Sequence, residues 1–308
     1  MLRKSALRRI VIATLALFVF LMIYLFPIDD DKSINNTTYI ESIKSPIYLV
    51  DKNNYVARIN ILKKGNNLLE NIKNVIESLT IDSNNSVYLP SGFEAVIPKN
   101  TKLKDLSLNN KILKLEFSKE FLSVDLENEE KMYEAIIYSL TEFNEVDGIM
   151  IFVDNERVIK LKNGKILPTI LDRNFGINKH NDLNCIKNIS KTTTYYTMKN
   201  DDFTYFVPIT MVNNDASDKI QIIIKNLKTS PINQTNLTSY LASSANLENY
   251  EILENTINLS FNNDLIPNMN SSSILEEVKY SIFLSLRDTY NVKSVIFELP
   301  NNDITTVN

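Results

Sequence analysis

A helix-then-strand unit occurs twice in this chain, and no other feature limits the fold as tightly. The first copy, KMYEAIIYSLTEFNEVDGIMIFV, runs from Lys131 to Val153, and EVKYSIFLSLRDTYNVKSVIFEL follows near the C-terminus. A shift of 146 places Met132 on Val278, Ile136 on Ile282, Ser139 on Ser285 and Leu140 on Leu286. The same shift places Val146 on Val292, Ile149 on Val295, Ile151 on Phe297 and Val153 on Leu299. Met132, Ile136, Leu140 and Phe143 recur at helical spacing and make one apolar face. Ile149, Ile151 and Val153 alternate, as in a strand with one buried face. Two copies of one supersecondary unit predict two copies of one domain, with Ile136, Leu140, Val146, Ile282, Leu286 and Val292 as the repeat positions that set the fold.

A length of 308 residues accommodates two such domains, and an apolar fraction of 44% is that of a globular chain. Net charge is −4, and no extended basic run lies beyond the first nine residues, so a nucleic-acid partner is not expected. The single Cys185 excludes an internal disulfide framework, and with His180 as the only histidine the usual zinc sets cannot form. No cofactor or metal is expected. His180 and Cys185 lie five residues apart, but in a segment read as a connection, where a nucleophile and base would not be held rigidly. They are read as an exposed histidine and a partly buried cysteine.

At the N-terminus, Arg3, Lys4, Arg8 and Arg9 (segment 1–9) precede an apolar run from Ile10 to Phe26 interrupted only by Thr14. At about 1.5 Å per residue this helix reaches roughly 25 Å, the short end for a membrane span. Pro27 and then Asp29, Asp30 and Asp31 follow, so basic residues before and acidic residues after predict an anchor over 10–27 with the rest of the chain outside. No site of small residues for cleavage follows the run. A polar tether is expected over 28–43.

The first domain is read over 44–160. Ile47–Val50 and Tyr55–Leu62 pattern as strands, Leu68 to Leu79 as an amphipathic helix, and Phe93–Ile97, Leu103–Leu108 and Ile112–Phe117 as three short strands before the repeated unit. Periodicity fades over 161–190, read as a linker. The second domain, 191–300, repeats the order. Thr192–Met198 and Phe203–Val212 pattern as strands, and Ile220 to Leu227 as a helix capped by Ser217. Tyr250–Leu253 and Thr256–Phe261 are strands before the second repeat, and 301–308 reads as a tail. Leu259 and Phe261 match Leu115 and Phe117 at a shift of 144.

Both halves resemble the sporulation and spore germination domain found in tandem in GerM-type proteins. Ile97-Pro98-Lys99-Asn100-Thr101-Lys102-Leu103 is similar to the family's Pro-x-Gly-Thr-x-Leu turn into a strand. Leu115-Glu116-Phe117-Ser118-Lys119-Glu120-Phe121 is similar to its Val-Asp-Leu-Ser-x-x-Phe segment. Ser139-Leu140-Thr141-Glu142-Phe143, with Val146 and Ile149 to Asp154, is similar to its Thr-Leu-Thr-Glu-Phe helix end and closing strand. The chain departs from the pattern at Asn100 and Asn155, where the family often has Gly, and at Arg287-Asp288-Thr289, where the second half loses Thr-Glu-Phe.

The resemblance implies an α/β (α+β) fold in which the N-terminal transmembrane helix precedes two ring-building-motif-like domains. Each would have two helices packed on a small mixed sheet, with an extra inserted β-element. It implies a non-catalytic role in assembling a sporulation or germination complex in the cell envelope, with protein partners, and leaves open a homo-oligomer or ring and a peptidoglycan contact. With its apolar side packed inward, the repeated helix would present Glu134, Tyr138 and Glu142 to a partner. Two alternatives are a wall-associated hydrolase using paired carboxylates among Glu116, Glu120 and Glu142, and a module that binds glycan or a small ligand. Against the hydrolase, these carboxylates read as solvated surface charges. No G-x-S-x-G elbow and no phosphate-binding glycine loop is present.

Overall fold

The computed structural model describes residues 14–15, 17–18, 44–62, 65–200, 203–229, 236–266, 273–300 and 304–308. The expected anchor over 10–27 therefore lies outside the described residues, except for Thr14, Leu15, Leu17 and Phe18, which are helical. Among the described residues no helix is long and apolar enough to cross a membrane.

Residues 44–308 form one compact unit. It opens with β1 (Lys44–Asp51) and β2 (Val56–Leu62), an antiparallel hairpin in which Asn54 takes the left-handed conformation that its turn requires. Helix α1 (Leu68–Leu79) follows because Asn67 caps it, its side chain accepting from the Glu70 N–H at 2.9 Å, and because Ile72, Val75, Ile76 and Leu79 line one buried stripe. The short β3 (Phe93–Glu94) pairs with the end of β1. Next come β4 (Leu103–Asn109) and β5 (Ile112–Phe117), then α2 (Leu126–Leu140), whose first turn carries Glu127 and Glu129 at the positive end of the helix dipole. Strand β6 (Gly148–Val153) returns parallel to β5, and β7 (Glu156–Arg157) closes this half.

The connection carries β8 (His180–Asp182). The second half then contains β9 (Ser190–Asn200), β10 (Phe203–Asn213), α3 (Lys219–Lys228), β11 (Leu247–Ile252), β12 (Thr256–Phe261), α4 (Glu276–Tyr290), β13 (Ser294–Glu298) and β14 (Ile304–Val307). Asp218, not Ser217, caps α3, accepting from the Ile220 and Gln221 N–H groups. Helix α4 ends at Asn291 in the left-handed conformation (φ 55°). The segment read as a tail is β14, which pairs with β13 and buries Val307.

The strands do not make one sheet per half. Two four-stranded sheets have the orders β4-β5-β6-β7 and β11-β12-β13-β14, while the two opening hairpins merge into a six-stranded sheet. In that sheet β2 meets β10 antiparallel at Arg58 and Phe206. The small mixed sheet implied for each half is present as β4-β5-β6-β7 and β11-β12-β13-β14, and the opening hairpins are shared between the halves. Helices α2 and α4 pack on β1 and β9 respectively, α1 beside α2 and α3 beside α4. A single hydrophobic core runs through both halves, and Ile136, Leu140, Val146, Ile282, Leu286 and Val292 all lie buried in it. Asn100 and Asn155 have φ of 64° and 68°, so asparagine serves where related sequences often use glycine.

The connection is part of the packing. Leu161, Leu167, Leu171, Phe175 and Ile177 are buried, and β8 runs parallel to the end of β10. Asn178 sits where β2 and β10 diverge. Its side-chain carbonyl accepts from the Val56 N–H, and its amide donates to the Val56 and Pro208 carbonyls, each at 2.8 Å. One side chain thus replaces ladder bonds that the two strands cannot make with each other. Asn178→Gly, which tolerates the left-handed backbone found there (φ 45°), is expected to cost about 1–3 kcal/mol in denaturant unfolding. Unchanged stability would refute the stitching role. His180, read as exposed, is half-buried in β8, and Cys185, read as partly buried, is exposed.

Candidate functional site

The largest concentration of charge lies where the two halves meet, and the repeat builds it. Ser139 on α2 accepts from the Tyr48 N–H of β1 at 2.8 Å, and Ser285 on α4 accepts from the Tyr195 N–H of β9 at 2.9 Å. Each serine therefore docks its helix against an opening strand by the same bond. Three residues further on, just past α2 and near the end of α4, stand Glu142 and Asp288. Tyr48 donates to Glu142 at 2.9 Å and Tyr195 to Asp288 at 2.6 Å, while the two tyrosine hydroxyls lie 2.9 Å apart. Each half thus contributes the same tyrosine, serine and carboxylate arrangement to this meeting point.

Three arginines surround the pair of carboxylates. Arg287 of α4 reaches across to grip Glu142 with two nitrogens, at 2.5 and 3.1 Å. Arg173, in the helical turn of the connection, donates to Glu142 at 2.8 Å and also to Asp288, to the Thr141 hydroxyl and to the Tyr138 carbonyl. Arg58 of β2 lies 3.6 Å from Glu142. The Glu142 and Asp288 side chains are only 4% and 2% exposed. Burial opposes the charge on Glu142, but Arg287, Arg173 and Arg58 outweigh it and hold the carboxyl well below the usual carboxylate range. Burial is also the main reason that the Tyr48 hydroxyl is pushed up to about 12, reinforced by Glu142.

The expected partner face is internal. Tyr138 is fully buried, its hydroxyl donating to the Arg173 carbonyl and its ring lying beneath the Arg173 guanidinium. Glu134 is 3% exposed, accepting from the Asn178 N–H at 2.9 Å and pairing with Lys179. Helix α2 has the sheet on one side and the connection on the other, so its polar side meets the rest of the chain. Glu134 and Tyr138 bind the connection, and Glu142 binds both the connection and the second half. The reading of Glu116, Glu120 and Glu142 as solvated is corrected in the same way for two of the three. Glu116 is 5% exposed and accepts from the Asn155 N–H at 2.6 Å, so it secures the turn after β6.

A cleft of about 700 Å³ opens beside this region, lined in part by Glu130, Glu134, Lys165, Phe175 and Lys179. These four charges are paired with one another. Both lysines bond Glu130 (2.5 and 3.0 Å), and both ammonium groups lie over the Phe175 ring. Among the described residues, no group of three or more histidine, cysteine, aspartate or glutamate side chains is placed to hold a metal.

The fold and the cross-half cluster together define a tandem-repeat α/β protein in which two related halves share one sheet and one core. Residues 46–159 match the model of the Germane family, described as sporulation and spore germination, and the whole fold is similar to a tandem GerMN arrangement. It is 28% identical over 262 residues to the spore germination protein GerM of Bacillus subtilis, a match that covers 82% of this chain and 70% of that protein. The solved structure of the tandem GerMN domains of that sporulation protein superposes with a TM-score of 0.76 at 26% identity, covering 85% of this chain and 92% of that one.

Arg173, Arg287, Arg58 and Tyr195 were not singled out from the sequence, although a signal existed. Beyond residue 9 the chain has only four arginines, Arg58, Arg157, Arg173 and Arg287, in a lysine-rich background. Three of the four meet here, where planar, bidentate and weakly hydrated cations suit buried carboxylates.

Proposed function

We propose that this chain is a non-catalytic assembly component of an envelope complex in sporulation or germination. In this reading residues 10–27 anchor it in the membrane and 44–308 lie outside the cytoplasm, engaging protein partners. The observation that carries the reading is the tandem fold shared over most of its length with a spore germination protein. The central cluster supports it from the chemical side. A glutamate gripped by arginines and held far below the usual carboxylate range has no proton to give as a general acid at neutral pH, and Asp288 is equally enclosed. These carboxylates act as a clasp between the halves, which disfavours the hydrolase alternative.

Deleting the gene in its native strain is expected to reduce the yield of heat-resistant or germination-competent spores. The full chain should restore that yield, and a chain lacking residues 1–27 should not. Normal sporulation and germination in the deletion strain would overturn the proposal. Release of soluble fragments from purified peptidoglycan by the protein would do the same in favour of the hydrolase.

A further inference from the structure

The two four-stranded sheets are equivalent, but their outer faces are not. In the first, Leu113, Leu115, Phe117, Ile149 and Ile151 point into the core, so Ile112, Lys114, Glu116, Met150 and Phe152 alternate onto the far side. Strand β6 reads Gly-Ile-Met-Ile-Phe-Val, an unbroken apolar run of the kind found in strands covered on both faces. The chain covers only one of them fully. Met150 and Phe152 are half-buried, and Ile159 and Ile170 on the same side are 53% and 42% exposed. Ile170 lies over Gly148, where an added Cβ would come within 2.5 Å of it. The second sheet has no such face. At the repeat shifts, Met150 and Phe152 become Ile296 and Glu298, while Ile112, Lys114 and Glu116 become Thr256, Asn258 and Ser260. Its polar side chains bond one another, Thr256 to Ser294 at 2.7 Å and Ser260 to Glu298 at 3.1 Å. The fold itself therefore does not require an apolar outer face.

One row across the first face is chemically ordered. Register sets Asp105, Glu116, Phe152 and Arg157 side by side on β4, β5, β6 and β7. Glu116 is 5% exposed; its Oε1 accepts from the Asn155 N–H, and its Oε2 is buried with no hydrogen-bond partner. At the other end Arg157 is half-buried and, among the described residues, makes no ion pair, whereas Arg58, Arg173 and Arg287 all meet Glu142. An unmet acceptor and an unmet cation thus flank the Phe152 ring, on which the Lys114 ammonium rests.

We propose that this face binds a helix of a different envelope protein, one whose apolar stripe lies over Met150 and Phe152. A hydrogen-bond donor flanks that stripe on the Glu116 side and a carboxylate on the Arg157 side. This rests on the reading of the protein as an assembly component and locates the surface that one partner uses. A sheet face is normally covered by a helix, and the bound helix would supply the layer that the second half does without. The donor would satisfy the buried Glu116 oxygen beside Asp105, and the carboxylate suits the planar Arg157 guanidinium. The four helices of this chain turn their apolar stripes into its own core, so a second copy has no such stripe to offer.

The test uses the full chain in sporulating cells of its native strain. The photoreactive residue p-benzoylphenylalanine replaces Met150 in one variant and Ile296, its repeat equivalent, in another. Illumination is expected to join the first variant to one other protein, through a segment of the stated composition, and the second variant to none. Arg157→Glu and the milder Arg157→Gln should each lower the adduct yield roughly fivefold, the scale of losing one good interface contact. Replacing the facing carboxylate of the joined protein by lysine should restore the yield with Arg157→Glu. The proposal is overturned by no protein adduct at position 150, by equal yield at 296, or by a yield indifferent to both Arg157 variants. An adduct to a second copy, to lipid or within the chain would overturn it as well. Failed cross-linking with a clear spore phenotype in the deletion strain overturns the docking face alone. The expected cross-linking without any spore phenotype overturns the functional reading alone.

Discussion

Glu142→Gln is expected to destabilise the protein by about 3–5 kcal/mol in urea unfolding. Removing one member of a buried ion cluster leaves the others without compensation. The substitution keeps the shape of the side chain but leaves Arg58, Arg173 and Arg287 facing a single carboxylate, Asp288. The same residue predicts how stability follows pH. Its folded-state pKa is depressed below the ordinary 4.5, so its contribution is present in full above that value. As pH falls below 4.5 and through the folded value, the unfolded chain takes up the proton first and the contribution is lost. Wild type should therefore lose stability between pH 5 and lower values more steeply than Glu142→Gln. Parallel pH profiles for the two proteins would show that Glu142 is not the clasp.

Leu140→Ala and Leu286→Ala are each expected to cost about 2–5 kcal/mol, since both side chains are fully buried at equivalent places in the repeat. Because residues 44–308 share one core, each substitution should shift a single cooperative transition. Two halves behaving as independent beads would instead show two transitions, with each substitution moving only one. That outcome, or a wild-type midpoint for either variant, would contradict the shared core.

Local structure was legible in the sequence wherever one face of an element is apolar. The alternation of Leu113, Leu115 and Phe117 and the helical spacing of Met132, Ile136 and Leu140 each reported a buried side. The repeat carried further, because equal spacing in two places fixes equal structure. What it could not report was how the halves meet. Glu134, Tyr138 and Glu142 look like a solvent face because hydropathy registers the loss of water, and a buried charge supplied with partners has the same letters as a solvated one. Their partners, Asn178 and Arg173, come from a segment with no periodicity, and the merger of β2 with β10 rests on one residue pair. Nothing local marks such contacts except the scarcity of arginine.

The meeting of Tyr48 and Tyr195 has a consequence in protons. Three close oxygen contacts run in a row, from Glu142 through Tyr48 and Tyr195 to Asp288, yet the two phenols bring only two hydrogens. Both carboxylates cannot receive a phenolic hydrogen while the phenols also bond each other. With Tyr48 donating to Glu142 and Tyr195 to Asp288, the two phenol oxygens face each other with no hydrogen between them. Glu142 is the better supplied of the two, with Arg287 bidentate upon it and Arg173 beside it. The duplicated molecule is thus unequal at its centre, where Glu142 holds more guanidinium hydrogens than Asp288.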